Sequence, residues 1–571
     1  MKKRGLKFIL LILILLSSST GYYGCECLDI TPPSIQIIEP VDGATVSGIT
    51  IIQAVAYDNR GVSKVEFYID NNKVSQSSSS PYYYNWDTSS LTYGSTHTIQ
   101  AKAYDNAGNV GESPIITVTI GDDLSPIVSI TNPANGSTVS GNVPIQVQVI
   151  ERNKRAPSGI AKVEFYIDDN KVGEDTSSPY EYSWNTNTVS DGKHTIMVKA
   201  YDNVNNVGID SITVYARNNI SQAKWTFMVF MNGDNDLENY VDKDLEEMKS
   251  VGSTNEVNII VQLDRHYQPG AWRYRVINGD LQEFWSSNEL DFGSPDTLRD
   301  FVDWTRTYFP ADKYALIIWD HGGGWRIKTL GLRGISYDDT SDTYMTMSQL
   351  KSALSQIGIK IGILGMDACL MAMTEVAYQI KDYAYYLVGS EESEPGTGWP
   401  YHNILSALVS NPSMSPSTLA STIVEKYKDY YSLYNRVTQS AIDLSKISNL
   451  KDACNKLAST LKENMSFYKT EISYAISVTQ AYSYPDFRDL YHFAKNICDK
   501  IDNILANNVM NNVDSAVIAE WHSNDLANSH GISIWLPSPY YYNYYLSTYQ
   551  TLDFATDTNW DEFLGALYST P

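Results

Sequence analysis

The sequence predicts three folded parts: two all-β sandwiches followed by an α/β domain with a mainly parallel sheet and a helical C-terminal extension. Three observations carry that reading. KVEFYID occurs twice, with Val65 answered by Val163, and PYYYNW (Trp86) is answered by PYEYSW (Trp184), both at a spacing of 98. After Ala216 the pattern changes to apolar strands alternating with helical segments. Finally, two of those strands end in a reactive side chain, His321 and Cys369.

The chain opens with Lys2, Lys3, Arg4 and Lys7, then FILLILILL, then a small polar stretch. That order is a secretory signal peptide, placed at residues 1–24, and its apolar run is too short to span a bilayer. Gly24–Cys25 is similar to the cleavage and acylation site of bacterial lipoproteins, although Tyr22 stands where leucine is usual. A lipid anchor at Cys25 and simple secretion both stay open, and either places the protein outside the cell or on its surface.

The two modules are expected at 31–121 and 124–216. Each holds short alternating runs, such as Val65, Phe67 and Ile69, separated by Asn, Gly, Asp and Ser turns. That is the pattern of an antiparallel sandwich. GATVSG and GSTVSG are only 93 apart whereas AYDN recurs at 97, so the second copy gains residues in ERNKRAPSG, a surface loop. The modules lack paired cysteines, so Trp, Tyr and Val packing must hold their sheets.

From residue 222 to 571 the elements alternate. WTFMVFMN is a strand, and Asp234, Asn235 and Asp236 offer caps for the helix that follows. NIIVQL is a second strand, and a hairpin at AWRYRVI leads to the helix DTLRDFVDWTRTYF. ALIIWD, IGILGM and YAYYLVGS are further strands, with helices at MTMSQLKSALSQI and MAMTEVAYQI between them. Alternation of this kind argues for a parallel sheet covered by helices on both faces. Several more helices follow, and HGISIWLP adds a late strand.

With 66 acidic and 42 basic residues, the formal charge of −24 repels nucleic acid and anionic lipid rather than attracting them, so no nucleic-acid partner is expected and a cationic substrate is favoured. Five cysteines in 571 residues are too few for a disulfide scaffold. Cys454 and Cys498 sit in helical segments as small apolar residues. Cys369 lies between a strand and a helix, where the helix N-terminus would favour thiolate, and this makes it the candidate nucleophile. The competing reading is a buried core cysteine.

His321 leads into Gly322, Gly323 and Gly324, which would let a substrate carbonyl approach backbone amides. HGGG also occurs in serine lipases, but those need a later G-x-S-x-G elbow, which does not follow here. Asp367 stands two residues before Cys369, on the same side of an extended chain. It can form one wall of a pocket for a basic side chain, or cap the next helix.

The segments HGGGW, DACLM, NGDNDLE and GSEESEPGTGWPY together resemble clostripain-type cysteine peptidases, a family with a caspase-like sheet. The two repeats resemble bacterial immunoglobulin-like domains. The first resemblance implies Cys369 as nucleophile, His321 as general acid and base, and the backbone amides of Gly322 and Cys369 as oxyanion hole. It also implies Asp367 as the group that recognises Arg or Lys, and a Cys/His dyad with no third carboxylate, Asp320 pointing away. Self-cleavage near Lys328 or Arg333 is a further implication, set against solvated loop charges. No cofactor is required; calcium is a candidate, because some relatives need it, with Asp338, Asp339, Asp342 and Glu391, Glu392, Glu394 as acidic clusters. Glu394 could instead line the specificity pocket.

The expected protein is therefore an exported cysteine endopeptidase acting on polypeptides after Arg or Lys. Its immunoglobulin-like domains serve as spacers, or as contacts to the cell surface or wall. The alternative is a surface adhesion or wall-binding protein whose peptidase-like domain is inert.

Overall fold

A computed structural model describes residues 29–122, 124–152, 159–218, 221–326, 334–501 and 504–569. The signal segment, Cys25, Cys27, Lys328, Arg333 and most of the ERNKRAPSG insertion lie outside the described residues. Among the described residues no helix is long and apolar enough to cross a membrane.

The first repeat packs a three-stranded sheet (Ser34–Glu39, Ile49–Tyr57, Tyr82–Asp87) against a larger one built on Val62–Ile69 and Thr96–Asp105. Alternate residues point inward, so Val65, Phe67, Ile99, Ala101 and Trp86 form the core. The second repeat reproduces this with Val163, Phe165, Ile196, Val198 and Trp184. One polar cluster recurs too. Glu66 takes Lys64 and Lys73 at 2.6 Å each, and Glu164 takes Lys162 and Lys171 at 2.6 and 2.7 Å. Both modules are thus immunoglobulin-like sandwiches held by apolar packing.

The second sandwich meets the α/β domain through Tyr215, whose hydroxyl donates to Glu283 at 2.8 Å and contacts Ser286 at 3.0 Å. Arg217 pairs with Asp191 and donates from Nε to the Tyr308 carbonyl at 3.2 Å.

The largest sheet among the described residues has nine strands. Its five central strands run parallel in the order Val257–Arg265, Ala223–Gly233, Ala311–Trp319, Ile361–Asp367, Ala384–Gly389. Antiparallel strands flank both edges, Gly270–Ile277 and Asp280–Ser287 on one side, Thr438–Asp443 and Val517–His522 on the other. The sheet is therefore mixed: parallel across its centre, with short turns returning the chain antiparallel at one edge and helical connections doing so at the other.

The central strands are buried on both faces, which is why they read as unbroken apolar runs. Phe227, Val229 and Met231 face one core with Val241, Leu245, Ile404 and Ile423. Met228 and Phe230 face the other with Leu298, Phe301, Leu350 and Val376. The C-terminal helices extend that second core. The late strand Ser533–Trp535 forms, but it pairs with Phe487–Asp489 in a ribbon outside the main sheet.

Candidate active site

The histidine and cysteine strands are neighbours, with Trp319 in register opposite Asp367. His321 and Cys369 each lie two residues further on, so the register brings them to the same edge. Parallel strands place their C-terminal ends together, and the crevice there is where open α/β sheets bind ligands. A pocket of about 180 Å³ is lined by both residues and by Trp319, Asp367, Glu394 and Gly398.

Helix Thr374–Ile380 begins five residues after Cys369, not directly behind it, and Leu370 adopts a φ of 65° in the intervening turn. The expected helix-terminus activation is therefore absent, and burial pushes the Cys369 thiol up rather than down. Its sulfur accepts a hydrogen bond from the Glu394 amide at 3.2 Å. The His321 imidazole lines the same pocket.

His321 Nε2 lies 2.6 Å from Asp236 Oδ1, a contact the sequence reading missed. Asp236 belongs to the NGDND run, where the sequence pattern offers it as a helix cap and not as a partner of the histidine. Its side chain is 80% exposed, so the pair orients the ring without contributing much energy. Asp320 does point away, accepting from Asn235 Nδ2 at 2.8 Å and from the Tyr337 amide.

Gly322 packs on the cysteine turn so closely that a Cβ there would sit 2.3 Å from the Cys369 carbonyl oxygen and 2.9 Å from its amide nitrogen. The two amides proposed to hold an oxyanion are thus adjacent. The C-terminal extension fixes this loop from behind. Trp325 is buried among Trp535, Tyr545 and Tyr549, and Arg326 is ion-paired to Asp486 inside a cage of Tyr484, Phe487, Tyr541 and Tyr545 rings. No local signal in the sequence linked these distant aromatics to the glycine loop.

Asp367 does not cap a helix. Its Oδ2 accepts from the Trp399 amide at 3.1 Å and the Tyr401 hydroxyl at 2.8 Å. Glu394 and Asp244 join it. Burial lifts Asp367 to about 6 and Asp244 to about 8, and burial together with the charge of Asp367 raises Glu394 well above the carboxylate range. Glu394 shares a hydrogen bond with Asp367, and Asp244 accepts from Trp319 Nε1 at 2.7 Å. Gly398, at φ 59°, leaves room between them, since a Cβ there would lie 3.0 Å from Asp367 Oδ2 and 3.1 Å from Asp244 Oδ2. The pocket floor is thus a cluster of three buried carboxyl groups beside the cysteine.

Of the suggested acidic clusters, Glu392 pairs with Arg436, and Glu391 accepts from the Gly531 amide at 3.1 Å. Asp338, without Asp339 or Asp342, gathers with Asp234, Asp264 and Glu289, their ligand atoms all within 4.8 Å. Asp264 is fully buried, and its Oδ2 accepts no hydrogen bond. Four carboxylates with an orphaned oxygen fit a hard, oxygen-liganded cation such as calcium, which would brace the turn carrying Asp236. Burial lifts Asp264 to about 9 and Asp338 to about 6. A carboxyl whose folded pKa lies above its unfolded one stabilises the fold only while protonated, so stability falls as pH rises from about 4 to about 9. In chelator, thermal unfolding should therefore drop across that window. Added calcium should restore most at the alkaline end, and Asp264→Asn should flatten the curve.

A thiol and an imidazole at the ends of adjacent parallel strands, with glycine amides beside them, are the equipment of a cysteine hydrolase on a caspase-like sheet. Residues 229–566 match the model of the clostripain family, and residues 33–110 and 126–198 match that of the bacterial Ig domain. Clostripain from Hathewaya histolytica is 27% identical over 436 residues, covering 62% of this chain and 82% of that protein. A secreted C11 cysteine protease from Bacteroides thetaiotaomicron, solved with an irreversible peptide inhibitor, matches at 22% identity and a TM-score of 0.48, covering 59% of this chain and all of the other. An inactive zymogen C11 protease from Parabacteroides distasonis matches at 21% identity and a TM-score of 0.49, covering 59% of this chain and 99% of that one. The chain belongs to the clostripain family of cysteine peptidases.

Proposed function

We propose that the protein is an exported endopeptidase that cleaves after Arg or Lys through Cys369 and His321. The observation that carries the specificity is the carboxyl cluster of Asp367, Glu394 and Asp244 beside the thiol. A guanidinium or ammonium entering it would displace protons and leave carboxylates paired with a buried cation, which neutral side chains cannot do.

In the proposed reaction His321 takes the Cys369 proton as sulfur bonds to the scissile carbonyl carbon. The oxygen gains charge opposite the Gly322 and Cys369 amides. The carbon–nitrogen bond then breaks, the imidazolium gives its proton to the leaving amine, and water activated by the same ring hydrolyses the thioester. Asp236 acts as a positioning residue for the ring.

Export rests on the N-terminal segment, with release or a lipid on Cys25 deciding whether the enzyme stays at the membrane. In either form the immunoglobulin-like domains would hold the catalytic domain outward. Asp367→Asn tests the specificity. It should cut kcat/KM on arginyl and lysyl reporters by roughly 10²-fold, as loss of a buried charge partner does, and spare a norleucyl reporter. Equal loss on all three substrates would sink the assignment.

A further inference from the structure

We propose that each immunoglobulin-like module binds one divalent, oxygen-seeking cation of the calcium class at the pole where the chain enters it. The first site is Asp29, Asp58 and Asp105; the second is Asp122, Glu151 and Asp202.

In each module one ligand atom from all three side chains falls within 4.8 Å of the others. Oxygens sharing a calcium ion at 2.3–2.6 Å stand up to roughly 5 Å apart, so neither site needs rearrangement. The second set repeats the first position by position. Asp29 and Asp58 are matched 93 residues on and Asp105 is matched 97 on, the same offsets as the surrounding repeat before and after its insertion. At the one position that changes, Asp58 becomes Glu151, and the carboxylate is kept.

The frame around each site repeats as well. Asn109 donates from Nδ2 to the Asp29 carbonyl at 2.8 Å and to Asp105 Oδ2 at 2.7 Å. Asn206 does the same to the Asp122 carbonyl at 3.0 Å and Asp202 Oδ2 at 2.8 Å. Asparagine thus ties the entering chain to the loop and presents the carboxylates as a set.

A second observation points to a ligand. Asp58 Oδ2 and Asp122 Oδ2 are sealed from solvent and accept no hydrogen bond. Their neighbours are buried too, with the Asp29 side chain 6% exposed, Asp105 3% and Asp202 1%. Sequestered carboxylate oxygens are costly unless a positive charge faces them. In the first module Arg60 approaches Asp29 at 4.0 Å and is itself 57% exposed. Backbone amides reach other oxygens of the cluster, Arg60 to Asp58 Oδ1 at 2.8 Å and Thr31 to Asp29 Oδ1 at 3.2 Å, and none reaches Asp58 Oδ2. Asp122 falls between the last strand of one module, Ile116–Ile120, and the first of the next, Ile127–Asn132. A cation there would clamp the connection and make the two modules a stiffer spacer.

The test uses the full chain carrying Cys369→Ala, stripped with chelator and dialysed to equilibrium against radiolabelled calcium. Sites of this class in extracellular modules have Kd values of about 0.1–1 mM, so dialysis extends to about 10 mM. Asp58→Asn and Glu151→Gln should each bind one equivalent less than the parent, and the double variant two less. No uptake by the parent, or unchanged stoichiometry in either variant, overturns the proposal. A second measurement needs no variant. Cleavage of the 121–126 segment by an added Asp/Glu-specific protease should slow roughly tenfold at about 10 mM calcium, and an unchanged rate overturns the clamp.

Discussion

Replacing Cys369 by alanine is expected to abolish turnover of arginyl and lysyl reporter peptides, lowering kcat on the order of 10⁵–10⁶-fold, as loss of a covalent nucleophile does. The fold should survive. Cys369 lies two residues beyond the end of the Ile361–Asp367 strand, and the substitution removes one sulfur that accepts from the Glu394 amide at 3.2 Å. Because burial raises the thiol pKa, the free enzyme holds little thiolate at neutral pH, and proton removal must accompany attack. His321→Ala should therefore fall by a similar factor. Equal rates for wild type and Cys369→Ala would remove the enzyme reading and restore the inert-domain alternative. Intact near-ultraviolet circular dichroism would show that the loss is chemical.

Gly322→Ala carries the second large effect. A methyl group there would stand 2.3 Å from the Cys369 carbonyl oxygen and 3.0 Å from the Ala368 side chain, inside any real contact distance. Backbone at the cysteine turn cannot yield cheaply, since Leu370 donates its amide to the Glu392 carbonyl at 3.1 Å and Ala372 donates to Ser390 at 2.9 Å. The histidine loop would have to lift instead, and Trp325 in its aromatic box resists that movement. One oxyanion donor is then misplaced, at a cost of about 10²–10³-fold in kcat, roughly 3–4 kcal/mol of barrier. Substrate affinity through Asp367 should change little, so kcat falls while KM stays near its wild-type value. A variant with wild-type kcat would place the oxyanion hole elsewhere.

Much of the architecture was legible from periodicity. The repeat spacing announced two sandwiches with one core, because Val65, Phe67 and Trp86 must pack against the same partners as Val163, Phe165 and Trp184. Unbroken apolar runs marked the central strands, since only burial on both faces favours them. What misled was the join between strand and helix after Cys369. MAMTEVAYQI looks helical from its first residue, yet the Ala372 and Leu370 amides bond to the neighbouring strand's loop, and the helix waits until Thr374. Tertiary hydrogen bonds outcompeted local propensity there, and the expected activation of the thiol went with them.

The sequence by itself determined the inventory: two β repeats, an α/β domain, a histidine and a cysteine each closing an apolar strand, and an aspartate two residues before the cysteine. Local periodicity and spacing suffice for these, because backbone geometry translates them directly into strands, turns and same-side neighbours. Only the tertiary structure decided what surrounds them. It set Trp319 opposite Asp367, brought Asp236 to His321, gathered Asp244 and Glu394 around Asp367, and closed aromatic residues from the last helices over Trp325. Those groups are separated by tens to hundreds of residues. Their pKa values and reach depend on burial and on charges across the fold, quantities that no stretch of chain carries alone.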